Sequence, residues 1–431
     1  MLEWLWSFSA RKRSAHEMAV QRAVKLERMY ALLAVLGHPE SRFPSLLVAG
    51  TKGKGSTVAM LSACLRAAGY RTGRYTSPHL VNWRERTTID AQPISADEVL
   101  GLAGPVRHAV ESLPNSLGAP TTFEVGTALT FEYFARQSVD VAVVEVGTGG
   151  RFDATNLVDT QVAVMAPVSY DHTQTLGSTL TSIGWHKAGI MRVGRPAVAA
   201  PQSSEALSVI EGEARLLRVP LRVVGRDWTW SAAQTGIRVA GPDVALEGLE
   251  VGLIGDHQLD NATTAIAALD AVRQRFPVQT SDVVSALKTV EWPGRLQIVS
   301  RQPLVVLDGA HNAASAEVVR RALDANFTFD RLLLVVGLST GKDALGVLGA
   351  LTPRADRVYL TRSRHERSAP PDDLAPLVQS AAPRASISIV PDAPSALDLA
   401  VREAGPRDAV LVTGSLFLVG EALEWWRRSH R

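Results

Sequence analysis

The chain has 431 residues, 46% of them hydrophobic and 20% charged, which is ordinary for a soluble globular enzyme and long enough for two domains. A formal net charge of +2, from 45 basic and 43 acidic residues, gives no argument for a nucleic-acid or acidic-membrane partner, and none is expected. One cysteine, Cys64, excludes an internal disulfide and fits a reducing compartment. The stretch MLEWLWSFSARKR puts its acid before its bases, the wrong order for a signal peptide, and no uninterrupted apolar run reaches membrane-spanning length. A cytoplasmic enzyme without membrane contact is expected, and Arg11-Lys12-Arg13 is read as a solvated face.

Met1 to Gly37 reads as helical, with Leu26, Met29, Tyr30, Leu33 and Leu36 at three/four spacing, and Gly37-His38-Pro39 ends it. Leu46 to Ala49 has the composition of a buried strand. It runs into Gly50-Thr51-Lys52-Gly53-Lys54-Gly55-Ser56-Thr57, and a helix is expected over Val58 to Ala68, stopped by Gly69. Strand, glycine loop and helix form a phosphate-binding context. Glycines let backbone N–H groups approach phosphate oxygens, and the helix N-terminus adds unpaired donors. Lys54 supplies a charge for the β/γ-phosphates of ATP, and a hydroxyl from Ser56 or Thr57 can hold Mg2+. The spacing differs from the common P-loop: two residues separate Gly50 from Gly53, and Gly55 intervenes between Lys54 and Ser56.

Farther on, Tyr70 to Leu80 suggests a short strand and a loop, with a turn at Ser77-Pro78. Ser95 to Leu113 is a helix opened by the capping pattern Ser95-Ala96-Asp97-Glu98. Thr121-Thr122-Phe123-Glu124 leads into an amphipathic helix to Arg136. Val139 to Val146 reads as a central parallel strand, and Glu145 falls at its C-terminal end. Ligands of open α/β sheets bind at that edge, so a carboxylate there is well placed for Mg2+. Val162 to Val168 is another strand, followed by Asp171 and His172. Ala197 to Val239 alternates short β-like runs with polar turns, and Gly255 to Val272 carries an Ala-rich helix. His257 and Asn261 share a face of that helix if it has already begun at His257. Glu291-Trp292-Pro293-Gly294-Arg295 reads as a hinge. Strands then recur at Leu304 to Leu307, Leu332 to Val336, Arg357 to Leu360, Ser386 to Val390 and Ala409 to Val412, alternating with helices. The fold class expected is α/β: an N-terminal P-loop parallel-sheet domain, residues 1–295, and a smaller Rossmann-like α/β domain, residues 296–431.

The compact loop GTKGKGS resembles the ATP loop of the Mur ligase superfamily, and the flanking strings resemble its folylpolyglutamate synthase/dihydrofolate synthase branch. Those strings are LERMYALLAVLGHPESRFPSLLVAG, TSPHL with RERTTID, TTFE, EVGTGGRFDATN, DH with LG, IGWHKAGI, GDHQLDNA, PGR, DGAHN and GSLF, in the family's order. The resemblance implies ADP-forming ligation of L-glutamate to a folate or dihydropteroate carboxylate through an acyl phosphate. It implies ATP contacts from Gly50, Thr51, Gly53, Lys54, Gly55, Ser56, Thr57, Asn261, Arg295, Asp308 and His311. It implies two Mg2+ ions held by Ser56, Glu145, His172 and Lys187, the lysine as its carbamate. Substrate contacts follow for Ser77, Pro78, His79, Phe123 and Ser415, and Lys54, Lys187, Arg295 and His172 serve the chemistry. A monomer is expected. The chain departs from the pattern at His186, where the family has Glu, after Asn312, where its proline is missing, and at Gly341, where Asp is common. A peptidoglycan-type Mur ligase is an alternative of the same chemistry, and a non-ligating ATP sensor is one of a different class.

Overall fold

The computed structural model describes residues 25–430, together with Trp4 and Ser7. The basic cluster Arg11-Lys12-Arg13 and the first part of the expected N-terminal helix lie outside the described residues. The chain forms two compact units. The first takes 1–79, 84–252 and 257–290, and the second takes 80–83, 253–256 and 291–431.

Among the described residues, the first unit is built on an eight-stranded sheet of order β4-β3-β2-β5-β1-β6-β7-β8. Its strands are β1 (Pro44–Ala49), β2 (Thr72–Tyr75), β3 (Thr87–Ile89), β4 (Gln92–Pro93), β5 (Val141–Glu145), β6 (Asp159–Met165), β7 (Ala197–Ala199) and β8 (Leu221–Val223). From β2 to β8 every pairing is parallel, whereas β3 and β4 add an antiparallel edge. Leu46, Leu47, Val48, Val143, Val144, Val162 and Val164 are fully buried, as expected of central strands covered on both faces. The run read as short β-like segments and polar turns from Ala197 to Val239 resolves into β7, the unexpected helix Ser204–Leu216, β8, and part of a three-stranded antiparallel sheet made of β9 (Thr229–Ala232), β10 (Ile237–Ala240) and β11 (Ala245–Leu249).

Two helix starts follow the sequence reading. Ser95 and Glu98 form a reciprocal capping box on the helix Ala96–Glu111, and Thr121 and Glu124 form another on Thr122–Arg136. A third departs from it. The helix after the glycine loop begins at Lys54, not Val58, because Gly53 takes the left-handed cap conformation (φ 75°) and Gly55 is absorbed into the first turn. Ser56 and Thr57 are therefore helical, and Thr57 N donates to Gly53 O at 2.9 Å.

The second unit holds a six-stranded sheet of order β12-β13-β17-β14-β15-β16. Its strands are β12 (Gln297–Arg301), β13 (Leu304–Leu307), β14 (Leu332–Val336), β15 (Arg357–Leu360), β16 (Ser386–Ile389) and β17 (Ala409–Thr413). All pairings are parallel except β12 with β13. Two apolar clusters cover its faces, one including Val306, Leu334 and Leu348, the other Val305, Val335 and Leu418.

A buried ion pair ties the first described helix, Lys25–Val35, to the helix Thr122–Arg136. Arg28 Nη2 reaches Glu124 Oε1 and Oε2 at 2.8 and 3.0 Å, and both side chains are buried. Glu124 also accepts from Thr121 N, so one carboxylate caps its own helix and holds the other. Removing one partner strands a charge in the interior. Arg28→Met or Glu124→Leu alone should lower unfolding free energy by about 3–5 kcal/mol, and the double substitution by much less. Denaturant midpoints check this. Single variants within about 0.5 kcal/mol of the native chain would contradict it.

Candidate active site

The topology places β1 between β5 and β6, so three C-terminal strand ends meet at one edge of the first sheet. The glycine loop leaves β1, Glu145 ends β5, and 166–172 follows β6. Register fixes this closely: Val48 pairs with Glu145, and Val146 N donates to Val48 O at 2.9 Å.

The loop is gripped from three sides. Thr51 N donates to Pro167 O at 2.9 Å, and Thr51 Oγ1 exchanges hydrogen bonds with Ser169. A methyl group at Gly50 would fall 2.7 Å from Ala166 Cβ. One at Gly53 would fall 2.5 Å from Asn261 Oδ1. Only glycine fits either place. Asn261 is buried on the helix Asp256–Ala271 and donates to Gln258 Oε1 at 2.9 Å. That helix begins before His257, so His257 and Asn261 do share a face.

Three lysines and one carboxylate set the charge. Lys54 Nζ lies 3.9 Å from Glu145 Oε1 and donates to Thr51 O at 3.4 Å. Glu145 is buried, and its Oε2 accepts from Ser77 N at 3.2 Å. Lys187, buried on the helix Leu180–Ala188, donates to Gly50 O at 2.7 Å. Burial, with the nearby charge of Lys54, pushes the Lys187 amine down to about 7, while Asp171 and Asp153 oppose the shift. Among the described residues no carboxylate forms an ion pair with Lys187. Lys52 is also lowered by burial, with Asp171 opposing. The sequence shows Lys52 and Asp171 only as members of separate motifs; their coupling joins two loops 119 residues apart in the chain.

The string that follows Glu145 folds back on the same edge. Asp153 is buried, and its carboxylate accepts from Gly147 N, Thr148 N and Thr155 N. Lys25 Nζ pairs with it at 3.4 Å. Phe123 lies on Gly147, where a methyl group would fall 2.5 Å from the ring, and its centroid is 6.1 Å from that of Tyr75. The Ser77-Pro78 peptide is cis, and His79 Nδ1 faces Arg86 Nε at 3.0 Å. Ser77, Phe123, Glu145, Lys54, Lys187 and Asn261 are thus linked through the loop edge of one unit.

His172 stands apart. It is half exposed, its Nε2 lies 3.8 Å from Asp171, and no hydrogen bond or ion pair among the described residues joins it to Glu145 or Lys187. Among the described residues no group of three or more His, Cys, Asp or Glu side chains is arranged to hold a metal ion. The oxygen donors at the loop edge are of another kind: the Glu145 carboxylate and the Ser56 hydroxyl in the helix's first turn, both buried. Such hard oxygen donors suit Mg2+.

In the second unit the remaining candidates gather at the C-terminal ends of β13 and β17. Asp308 is buried and accepts from Leu296 N at 2.9 Å and Ala310 N at 2.7 Å. Burial raises its pKa against the opposing charge of Arg295 and those two N–H groups. The Pro-Gly-Arg turn is pinned to this loop, since Gly309 N donates to Gly294 O at 2.9 Å. His311 Nδ1 faces Gly309 O at 2.9 Å. Gly414 N donates to Ala310 O at 2.9 Å, and Ser415 stands at the N-cap position of the final helix, Leu416–Ser429, with no capping hydrogen bond from its side chain. No described helix is long and apolar enough to cross a membrane.

Residues 48–269 match the Mur ligase middle domain, and 294–416 match the Mur ligase glutamate ligase domain. A Bacillus subtilis dihydrofolate synthase/folylpolyglutamate synthase is 33% identical over 92% of this chain and 93% of its own length. A probable bifunctional folylpolyglutamate synthase/dihydropteroate synthase of Halobacterium salinarum is 36% identical over 92% of this chain, which spans 49% of that relative. Among solved structures, Escherichia coli FolC in complex with DHPP and ADP is 31% identical, with a TM-score of 0.88 and coverage of 100% of this chain and 97% of that one. The Yersinia pestis bifunctional folylpolyglutamate synthase/dihydrofolate synthase complexed with AMPPNP and Mn ion is also 31% identical, with a TM-score of 0.86 over 100% of this chain and 98% of that one. With both domain families in order and identities above 30% over nearly the whole length, the chain belongs to the folylpolyglutamate synthase/dihydrofolate synthase branch of the Mur ligase superfamily.

Proposed function

We propose that the chain ligates L-glutamate to the carboxylate of a folate or of dihydropteroate, with ATP cleaved to ADP and phosphate. The observation that carries this reading is the loop edge itself. Gly50 packs on Ala166 and accepts from Lys187, Gly53 packs on Asn261, and Glu145 lies beside Lys54, an arrangement that supports anion binding by the loop. Relatives complexed with ADP, DHPP or AMPPNP and Mn support it. A peptidoglycan-type acceptor or a non-ligating sensor is not favoured by these relatives. We assign the first unit to ATP and the folate acceptor and the second to the amino acid, in a cytoplasmic monomer.

A carboxylate is a poor electrophile and repels an incoming phosphate. Lys54 and the backbone N–H groups of the loop offset the charge on the γ-phosphoryl group as the acceptor carboxylate attacks it. The acyl phosphate so formed is attacked by the amine of glutamate, and phosphate leaves. Divalent metal, when bound, supplies charge neutralisation at the phosphates, with Ser56 and Glu145 as its holders. Arg295, Asp308 and His311 are assigned to ATP, Ser415 to substrate, and Ser77, Pro78, His79 and Phe123 to the acceptor. Asp308, occupied by two backbone N–H groups, acts by holding the turn that carries Arg295.

Lys187 is assigned as a carbamate that would hold a second metal, with His172 as a further holder that would have to move in from its half-exposed position beside Asp171. Its amine reacts only when neutral, forming the N–C bond to CO2 and releasing one proton. Burial without a paired carboxylate supports this, and an amine near 7 is half neutral at that pH. The carbamate fraction should fall as pH drops below 7. Carbon NMR with labelled bicarbonate should show one carbamate signal in the native chain and none in Lys187→Arg. A native spectrum without it would remove the assignment.

Phosphate release with MgATP should require acceptor and L-glutamate together, and mass spectrometry should find one glutamate added. Release indifferent to both would point to a sensor or simple hydrolase. Glu145→Gln keeps the shape and removes one charge, so turnover should fall at least about a hundredfold with the fold intact. Near-normal turnover in that variant would contradict the role of Glu145.

A further inference from the structure

The loop after β2 carries His79, and Arg86 precedes β3, which pairs with β2. Thr76 N donates to Arg86 O at 2.9 Å, so the Arg86 backbone is tied to the start of the same loop. From there Arg86 Nε reaches His79 Nδ1 at 3.0 Å. A guanidinium has donors only. The imidazole Nδ1 must therefore be the acceptor, without a proton. A ring whose Nδ1 is unprotonated carries its single proton on Nε2 and is neutral.

We propose that Arg86 is a positioning residue that fixes His79 as a neutral ring with its proton on Nε2, so that His79 meets an oxygen of the bound acceptor only as a hydrogen-bond donor. This rests on the folate-type acceptor proposed above. Recognition of a carbonyl or carboxylate oxygen needs such a donor, and a donor that does not titrate keeps binding independent of pH. The electrostatics agree. Burial and the Arg86 charge push His79 down to about 4. Arg86 is itself lowered by burial, with the Glu145 carboxylate supporting its charge. Tyr75, raised to about 12 by burial, stays a neutral phenol.

The test uses the full chain in two ways. In nitrogen-labelled histidine NMR between pH 5 and 8, assigned with His79→Gln, the native His79 signals should stay constant with protonated Nε2 and bare Nδ1. This measurement needs no substrate, so it reads the proposal even if the native chain ligates nothing. In kinetics, His79→Gln should raise the acceptor KM about five- to tenfold with kcat little changed, the loss of one neutral hydrogen bond. Arg86→Gln can donate or accept, and it removes the charge. It should let His79 titrate toward its ordinary range of about 6.5, adding an acid limb to kcat/KM that disappears in the double variant with His79→Gln. Arg86→Lys, again a donor only, should restore the flat profile. A His79 that titrates above pH 6 in the native chain would overturn the proposal. So would a proton on Nδ1, an unchanged acceptor KM in His79→Gln, or an Arg86→Gln profile identical to the native one.

Discussion

Placing β1 between β5 and β6 is the constraint on which the candidate site depends. One register decision, Val48 opposite Glu145, brings a carboxylate to the mouth of the glycine loop and leaves the segment after β6 to bind the loop's backbone from the other side. The loop is then too crowded for any residue but glycine at Gly50 and Gly53, since Ala166 and Asn261 occupy the space a side chain would need. Thr51 N and Lys52 N both donate to Pro167 O, so an anion would meet the loop at the N-terminus of the helix that starts at Lys54.

Charge follows from the same arrangement. At 3.9 Å and an effective dielectric of about 20, the Lys54–Glu145 attraction is roughly 4 kcal/mol before desolvation is subtracted. Lys187 sits inside the same field without a carboxylate partner and answers by losing affinity for its proton. Glu145 beside Lys54 and the more exposed Asp171 near Lys52 and Lys187 are the acids that face three lysines here, and the phosphates of a nucleotide would add the negative charge that is still lacking. The Asp153 carboxylate is spent on three backbone N–H groups and Lys25, so it shapes the return of the chain rather than adding free charge at the loop.

Much of this was legible in the sequence because it is written in local signals. Glycines at Gly50 and Gly53, a terminal acid on an apolar run, and capping boxes at Ser95 and Thr121 each act within a few residues. The helix start at Lys54 was missed because intrinsic propensity counts Gly55 as a breaker, whereas packing of Asn261 against Gly53 fixes the turn. The short strands β3, β4 and β11 escaped notice because two to five residues carry little periodicity. Pairs distant in the chain left no signal at all: Arg28 with Glu124, Lys187 with Gly50, and Asp171 with Lys52. His79 was visible as a motif residue, but its protonation state needed Arg86 beside it.

Ligation depends on activation of the acceptor carboxylate. Acceptor labelled with heavy oxygen in that carboxylate, incubated with MgATP and L-glutamate, reads this step directly. Attack on the γ-phosphoryl group puts one carboxylate oxygen on phosphorus, and amide formation then releases it. The released phosphate should carry one labelled oxygen for each glutamate added, by mass spectrometry. Phosphate free of label would show that ATP is split by water, and that the loop edge serves a purpose other than ligation.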